Sequence, residues 1–358
     1  MTFPQIISLF LCLFVLVGRM PAADRGETLA MLRRVADWQL ANPSPHRANG
    51  WTQAVGHLGF LALATLPDGS KYEEAMLAVG TQLDWKLGKN CRYHADDQAV
   101  GQMYLILHAR RHRPEMIAET RAVMDDFCVR PGADGDMTIK SANQRWTWCD
   151  ALFMTPAVLA QLYATTGEQR YLDTLLHEYQ RTHDFLYDPT EHLYFRDASY
   201  FTKREANGQK VFWGRGNGWV LAGLANTLEA LPKGTASREY FVKIFQEMAQ
   251  RIITLQQPDG LWRASLLDPQ SFPLQETSGS ALYCFALAWG INHGLLDRAA
   301  YLPSVEKAWA ALMTCVTPAG RLTHVQPIGA DPRSFPEDAT EIYGVGAFLM
   351  AGAEIYRL

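Results

Sequence analysis

The stretch RWTWCDALFM, residues 145–154, sets one aspartate, Asp150, among Trp146, Trp148, Cys149, Leu152, Phe153 and Met154. Desolvating a charged carboxylate among aromatic rings is costly, so such surroundings favour the neutral acid. A carboxyl group still protonated near neutral pH is what general-acid chemistry requires. The structural alternative is an N-cap, the commonest work of a lone Asp before an apolar run. A second pair of acids, Asp96 and Asp97, stands in HADDQAVGQ, again directly before an apolar segment. One of the two is expected to orient a water or a sugar hydroxyl and the other to cap the helix. The reading leans to Asp97 for the first role. His94 is a further candidate, weighed against the commoner structural role of a lone histidine.

The stretch WGRGNGW (213–219) contributes Arg215, suited to planar carboxylate recognition or to supporting Asp150 by hydrogen bonding. Its glycines form no phosphate loop, because no Lys-Ser/Thr follows them. Trp146, Trp148 and Trp219 offer rings for stacking on sugar faces, with core packing as the alternative. Arg196 in LYFRD, His57 and Glu276 are also pocket candidates, and Glu276 equally suits a helix N-terminus. Five cysteines remain after Cys12, without C-x-x-C spacing, so the sequence predicts buried free thiols, no disulfide framework and no metal site.

These residues must be carried by helices. Of 358 residues, 48% are hydrophobic and 20% charged, with a formal net charge of −4, a composition that excludes disorder and a nucleic-acid footprint. Helical periodicity dominates and alternating strands are scarce. Segments such as LPDGSKYEEAM, TTGEQRYLDTL and NHGLLDRAAYLPSV share a plan of helix end, glycine and polar start, which marks helix hairpins. Two kinds of helix alternate across them. One is apolar on most faces and rich in Gly and Ala, as in GWTQAVGHLGFLALATL and TSGSALYCFALAWGIN. The other is amphipathic, as in YLDTLLHEYQRTHDFLY. Six of the first alternating with about six of the second describe an all-α (α/α)6 toroid. The polar, aromatic loops leading into the inner helices would all lie at one mouth and form a pocket. One segment, 188–219, breaks the repeat and predicts a short β-hairpin near that mouth, pairing LYFRD with KVFW around ANGQ.

The segments WCDALFMTPAVLAQLYATTGEQRYLD, LYFRDASYF, FWGRGNGWVLAGL and SLLDPQSFPLQETSGSALYCFALAWGINHGLLD resemble the unsaturated rhamnogalacturonyl hydrolases, glycoside hydrolase family 105. The resemblance runs from about Gly50 to the C-terminus. It implies an α/α six-hairpin barrel and removal of Δ4,5-unsaturated uronic acid from oligosaccharides made by polysaccharide lyases. It implies no cofactor and no metal. The chemistry it implies is hydration of an enol ether: a proton reaches C4, positive charge develops at C5 and the ring oxygen, and water adds at C5. Asp150 matches the family's catalytic aspartate, and one of Asp96 and Asp97 its second carboxylate. Where some members place a histidine that contacts substrate, this chain has Arg196–Asp197.

Three rival functions remain open at this stage: an inverting glycosidase on saturated sugars with Asp150 and Asp96 or Asp97 as its two acids, a sugar epimerase, and a non-catalytic carbohydrate-binding protein. Fold alone does not separate them. The apolar run 6–18, followed by a small-residue exit near Ala22–Ala23, predicts a signal peptide over 1–23, an exported protein and a single catalytic domain over 24–358. The expected partner is an unsaturated oligosaccharide, with no nucleic acid and no stable membrane partner.

Overall fold

The computed structural model describes residues 24–88, 93–129, 136–138 and 146–358. The expected leader and Cys91 lie outside these residues. Helices alternate in the order the periodicity predicts. The outer set is α1 (Arg25–Ala41), α3 (Ser70–Gln82), α6 (Ala118–Val129), α9 (Gln169–Leu186), α11 (Ala236–Thr254) and α13 (Arg298–Thr314). The inner set is α2 (Trp51–Leu63), α5 (Gly101–Arg111), α8 (Pro156–Thr166), α10 (Gly214–Ala230), α12 (Thr277–Asn292) and α14 (Ile342–Arg357). The one-turn helices α4 (Ala95–Gln98) and α7 (Ala151–Met154) precede α5 and α8. Contacts run from α2 to α5, α8, α10, α12, α14 and back to α2, closing the inner ring.

Residue type explains the layering. Every residue of α12 from Thr277 to Ile291 is buried, as a helix apolar on all faces must be. The outer α9 buries one stripe, including Tyr171, Leu172, Leu175, Tyr179, Thr182 and Leu186, and leaves the rest polar. Close approach between inner helices needs glycine: a Cβ on Gly59 of α2 would lie 2.6 Å from the Gly346 backbone of α14. Gly167, Gly234 and Gly294 take positive φ in the turns that follow inner helices, whereas in the first such turn Asp68 does so in place of Gly69.

The hairpin near the mouth is paired differently from the sequence expectation. Leu193–Tyr194 pairs antiparallel with Tyr187–Asp188 upstream, in the register Tyr187↔Tyr194. The ANGQ turn closes only a single bridge, Arg204↔Lys210, and Trp213 of KVFW bridges to Ser265 instead. Asn217 decides this: its side chain accepts from Tyr194 N at 2.7 Å and donates to Tyr194 O at 3.0 Å, occupying the edge that KVFW would have used. Cys149, Cys284 and Cys315 are buried free thiols, and Cys128 is half-buried. No helix of the described residues is long and apolar enough to cross a membrane.

Candidate active site

Asp150 sits where an inner helix breaks. Pro156 has no N–H and its ring crowds the preceding turn, so α7 stops at Met154 and α8 restarts at Pro156. The carbonyls freed at the break are satisfied from the neighbouring inner helix: Gln102 Nε2 donates to Phe153 O at 2.9 Å and to Met154 O at 3.0 Å. Thr155 Oγ1 donates to Gln98 Oε1 at 2.7 Å. These bonds stitch the turn bearing Asp150 to α4, which bears Asp96 and Asp97. From the other side, α10 presses on the same turn, and a Cβ on Gly223 would lie 2.2 Å from Leu152 O.

The cap alternative for Asp150 fails. Its backbone is already helical, at φ −60° and ψ −29°, and its side chain makes no capping hydrogen bond. The residue is 9% exposed. Burial pushes its carboxyl above the ordinary carboxylate range, and the charges of Arg196 and Arg215 and the Cys149 thiol, with Sγ 3.5 Å from Oδ2, offset this in part. The closest cation, Arg196 Nε, stands 3.7 Å from Asp150 Oδ2, beyond hydrogen-bond reach. Arg196 is committed elsewhere: Nη1 donates to Asp197 Oδ2 at 2.7 Å, and its carbonyl accepts from Cys149 N at 2.9 Å. That backbone bond ties the Asp150 turn to the bend after Leu193–Tyr194 that carries Arg196.

Asp96 feels Asp150 directly. Burial, then the charges of Asp150 and Asp97, push its carboxyl up to about 7, with Arg196 opposing. A negative charge on Asp150 thus disfavours ionisation of Asp96. Neither aspartate caps α4 by its side chain; His94 does so, Nδ1 accepting from Asp96 N at 3.3 Å. Burial lowers the His94 pKa, and with Nδ1 as acceptor the neutral ring carries its proton on Nε2. The ring lies against Trp148, centroids 4.7 Å apart.

Asp97, toward which the sequence reading leans, lies at the same mouth. Asp97 is 3% exposed, its Oδ1 lies 3.6 Å from Arg47 Nη2, and it packs so tightly on Gly88 that a Cβ there would stand 2.2 Å from Oδ1. Asp96 is the acid coupled to Asp150. A cavity of about 510 Å³ at this mouth is lined by Asp96 and Asp97 together with Arg47, Trp51, His94 and Ile328.

Four predicted contacts are supports. Trp146 is fully buried against Phe127. Trp219 is wedged among Trp51, Phe153 and Tyr343. His57, whose pKa burial lowers to about 4, is neutral and donates from Nε2 to Ala48 O at 2.9 Å, propping the loop before α2. Arg215 is 1% exposed, sandwiched by Trp213 and Tyr343, and donates to the carbonyls of Gln326 and Pro327. Glu276 caps α12, accepting from Ser278 N and Gly279 N. Arg47 and Trp51 were missed as individuals, although their loop, NPSPHRANGW, leads into an inner helix as the mouth residues do. Among the described residues no three His, Cys, Asp or Glu side chains converge as a metal-binding group.

A larger cavity, about 810 Å³, opens at the opposite end of the toroid, between Ala62, Ile106, Ala164, Asn226, Trp289 and Glu354 of the six inner helices. Its carboxylates are compensated. Glu229 accepts from Trp289 Nε1 at 2.9 Å and pairs with His293 at 3.0 Å, which holds its carboxyl below the ordinary range. No poised acid faces that space.

The model of Glycosyl Hydrolase Family 88 matches residues 24–358. An unsaturated 3S-rhamnoglycuronyl hydrolase of Formosa agariphila is 38% identical over 348 residues, covering 94% of this chain and 92% of that protein. A solved structure named as a polysaccharide lyase superposes with a TM-score of 0.85 at 34% identity, covering 93% of this chain and 97% of that one. A structure described as a possible member of family 105, from Salmonella enterica, covers 100% of this chain and 99% of its own with a TM-score of 0.77. At 20% identity it supports the toroid alone.

Proposed function

The chain belongs to Glycosyl Hydrolase Family 88, and from that premise we propose that it removes Δ4,5-unsaturated uronic acid from the non-reducing end of oligosaccharides by hydrating the C4=C5 enol ether. One observation carries this: Asp150 is buried, caps nothing, has no hydrogen-bonded cation, and is coupled to a second acid at the mouth of the toroid.

Asp150, whose neutral form burial favours, gives its proton to C4. Positive charge spreads over C5 and the ring oxygen, and the new carboxylate faces it at close range. Water adds at C5 and returns a proton to Asp150, restoring the acid. The product is a hemiketal at C5. Its opening breaks the bond from C5 to the ring oxygen, leaves a ketone, and exposes at C1 a hemiacetal that expels the aglycone as an alcohol. Asp96 orients the attacking water or the sugar hydroxyls, and Trp148, backed by His94, offers a ring at the rim. A direct displacement at C1 would require two carboxylates on opposite sides of the anomeric carbon, whereas Asp96 and Asp150 are stitched together on adjacent turns.

The relative named for rhamnoglycuronyl hydrolysis supports rhamnose as the aglycone sugar. The apolar run 6–18 supports export, testable by sequencing the N-terminus of the mature protein. The test of the reaction is the ultraviolet absorbance of the C4=C5–carboxylate chromophore in lyase-generated oligosaccharides. We expect its loss, abolished in Asp150→Asn. The similarity to a structure named as a lyase gives the rival reading, and the same assay separates them by sign. A lyase creates the chromophore from intact polysaccharide; a hydrolase of this kind destroys it. Unchanged absorbance with a panel of lyase products would overturn the proposal.

A further inference from the structure

We propose that Arg196 reads the substrate's uronate carboxylate, and that this contact loads the neighbouring acid with its proton as the sugar arrives. The inference rests on the hydration reading. In that reaction Asp150 meets C4, and the uronate carboxylate is borne by C5, the next ring atom. A cation beside Asp150 therefore lies within reach of the carboxylate.

Two arginines act on Asp150, one from the strand end and one from α10. Arg215 cannot serve as the reader, because it is 1% exposed and its terminal nitrogens are spent on the Gln326 and Pro327 carbonyls and on Ser278 Oγ. Arg196 differs in each respect. Its side chain is 22% exposed. Its only hydrogen bond among the described residues is to Asp197, at 2.7 Å, and its buried Nε has none. Asp197 itself is anchored, accepting from Ser199 N at 2.9 Å. The guanidinium is thus held in place by one carboxylate and left incompletely matched toward Asp150, a preorganised half of a planar acid clamp.

Its position couples binding to protonation. The charged groups around Asp150 are Arg196, Arg215 of α10 and Asp96 of α4, with the Cys149 thiol in its own turn; Asp97 and His94 stand behind Asp96. In the empty site burial favours neutral Asp150 and the Arg196 charge opposes it. A bound uronate meets that charge with its own and adds a negative neighbour, so the balance tips to the neutral acid and a proton is taken up. The substrate's anionic group would thereby prepare the catalyst, and a neutral sugar would bind without doing so.

The test is calorimetric titration of wild-type protein with saturated galacturonate or glucuronate, which are not turned over, in two buffers of different ionisation enthalpy near neutral pH. We expect proton uptake with either uronate and none with galactose or glucose. Arg196→Gln should abolish the uptake and weaken uronate binding about tenfold or more, leaving the uncharged sugars unaffected. Arg196→Lys should retain part of the affinity. Asp150→Asn should bind uronate with little or no uptake. Where the saturated sugars bind too weakly to titrate, an unsaturated disaccharide bound to Asp150→Asn, with and without Arg196→Gln, gives the affinity half of the comparison, and equal affinity there overturns the inference. Equal uronate affinity with and without Arg196, or wild-type binding with no proton uptake, overturns the inference. Circular dichroism identifies a misfolded Gln variant, in which case the Lys variant decides: a partial loss of uronate affinity with the uncharged sugars bound as before supports the inference, and unchanged uronate affinity overturns it. The hydration reading fails separately, when wild-type enzyme leaves the chromophore intact.

Discussion

The two ends of this toroid are built from the same six helices and have opposite electrostatic characters. At the end with the larger cavity, Glu229 is matched by His293 and Trp289, and Glu354 by Asn292 and Arg357. At the other end, where Asp96 lines a smaller cavity, Asp150 has no hydrogen-bonded cation among the described residues and Asp96 is repelled by two other carboxylates. Cavity size therefore points the wrong way. Carboxylates whose charge is already met are structural, whereas those left uncompensated in a dry site are poised for proton transfer. The difference has a mechanical origin. The far cavity is bounded by intact helix ends, while at the mouth two inner helices break, between α4 and α5 and between α7 and α8, and each break presents an acid.

The comparison can be broken most sharply at Asp150. Asp150→Asn should cut kcat by roughly 10²- to 10⁴-fold, with the fold intact by circular dichroism. Full activity in this variant would remove the functional distinction between the two ends.

Asp96→Asn should lower kcat by about tenfold to a hundredfold and erase the ionisation near 7 from the pH–rate profile. It should also act on stability. Asp96 has a folded pKa of about 7 against an ordinary value of 3.8, so between these values the native state holds the extra proton and stability falls as pH rises. The Asn variant should melt higher than wild type at alkaline pH and no higher below pH 3.8. An unchanged melting difference across the range would show that Asp96 is not perturbed.

Gly223→Ala tests whether the broken helix positions the acid. The new Cβ would meet Leu152 O, at 2.2 Å in the present backbone. We expect a cost of about 1–3 kcal/mol in urea unfolding and a larger loss in kcat than in affinity, because the turn carrying Asp150 is displaced. At the far end, Glu229→Gln should leave kcat and KM unchanged. Its side chain is 61% exposed, so the pair with His293 stabilises by less than about 1 kcal/mol. That small loss should appear at neutral pH and disappear on acidification, since a carboxyl held low contributes stability only while it is ionised.

Much of the architecture was legible from sequence. The inner and outer helices follow from whether apolar residues surround a helix or stripe it, and that property travels with the local chain. The mouth was legible because the segments before the inner helices share Trp, Asp and Arg. Asp150 was legible because its apolar neighbours are adjacent in sequence. The hairpin partner of LYFRD was misread because Asn217, a side chain from α10, decides which edge is free. The separate environments of Asp96 and Asp97 were not legible, because adjacent residues on a helix point about 100° apart, and only distant loops bring Gly88 and Arg47 against Asp97. Trp219, His57 and Arg215, on inner helices, and Trp146, in the loop before α7, are all buried, and residue type alone does not announce burial.

The sequence by itself determined a ring of paired helices and one acid set among aromatic residues, because periodicity and local burial are properties of short stretches of chain. Tertiary structure alone decided that Asp96 is coupled to Asp150, that Arg196 stands beside it without hydrogen-bonding it, and that the larger cavity is electrostatically closed. Those outcomes depend on charges and dehydration summed over segments 50 or more residues apart in the chain, as Asp96 and Asp150 are, and such sums exist only once the ring has closed.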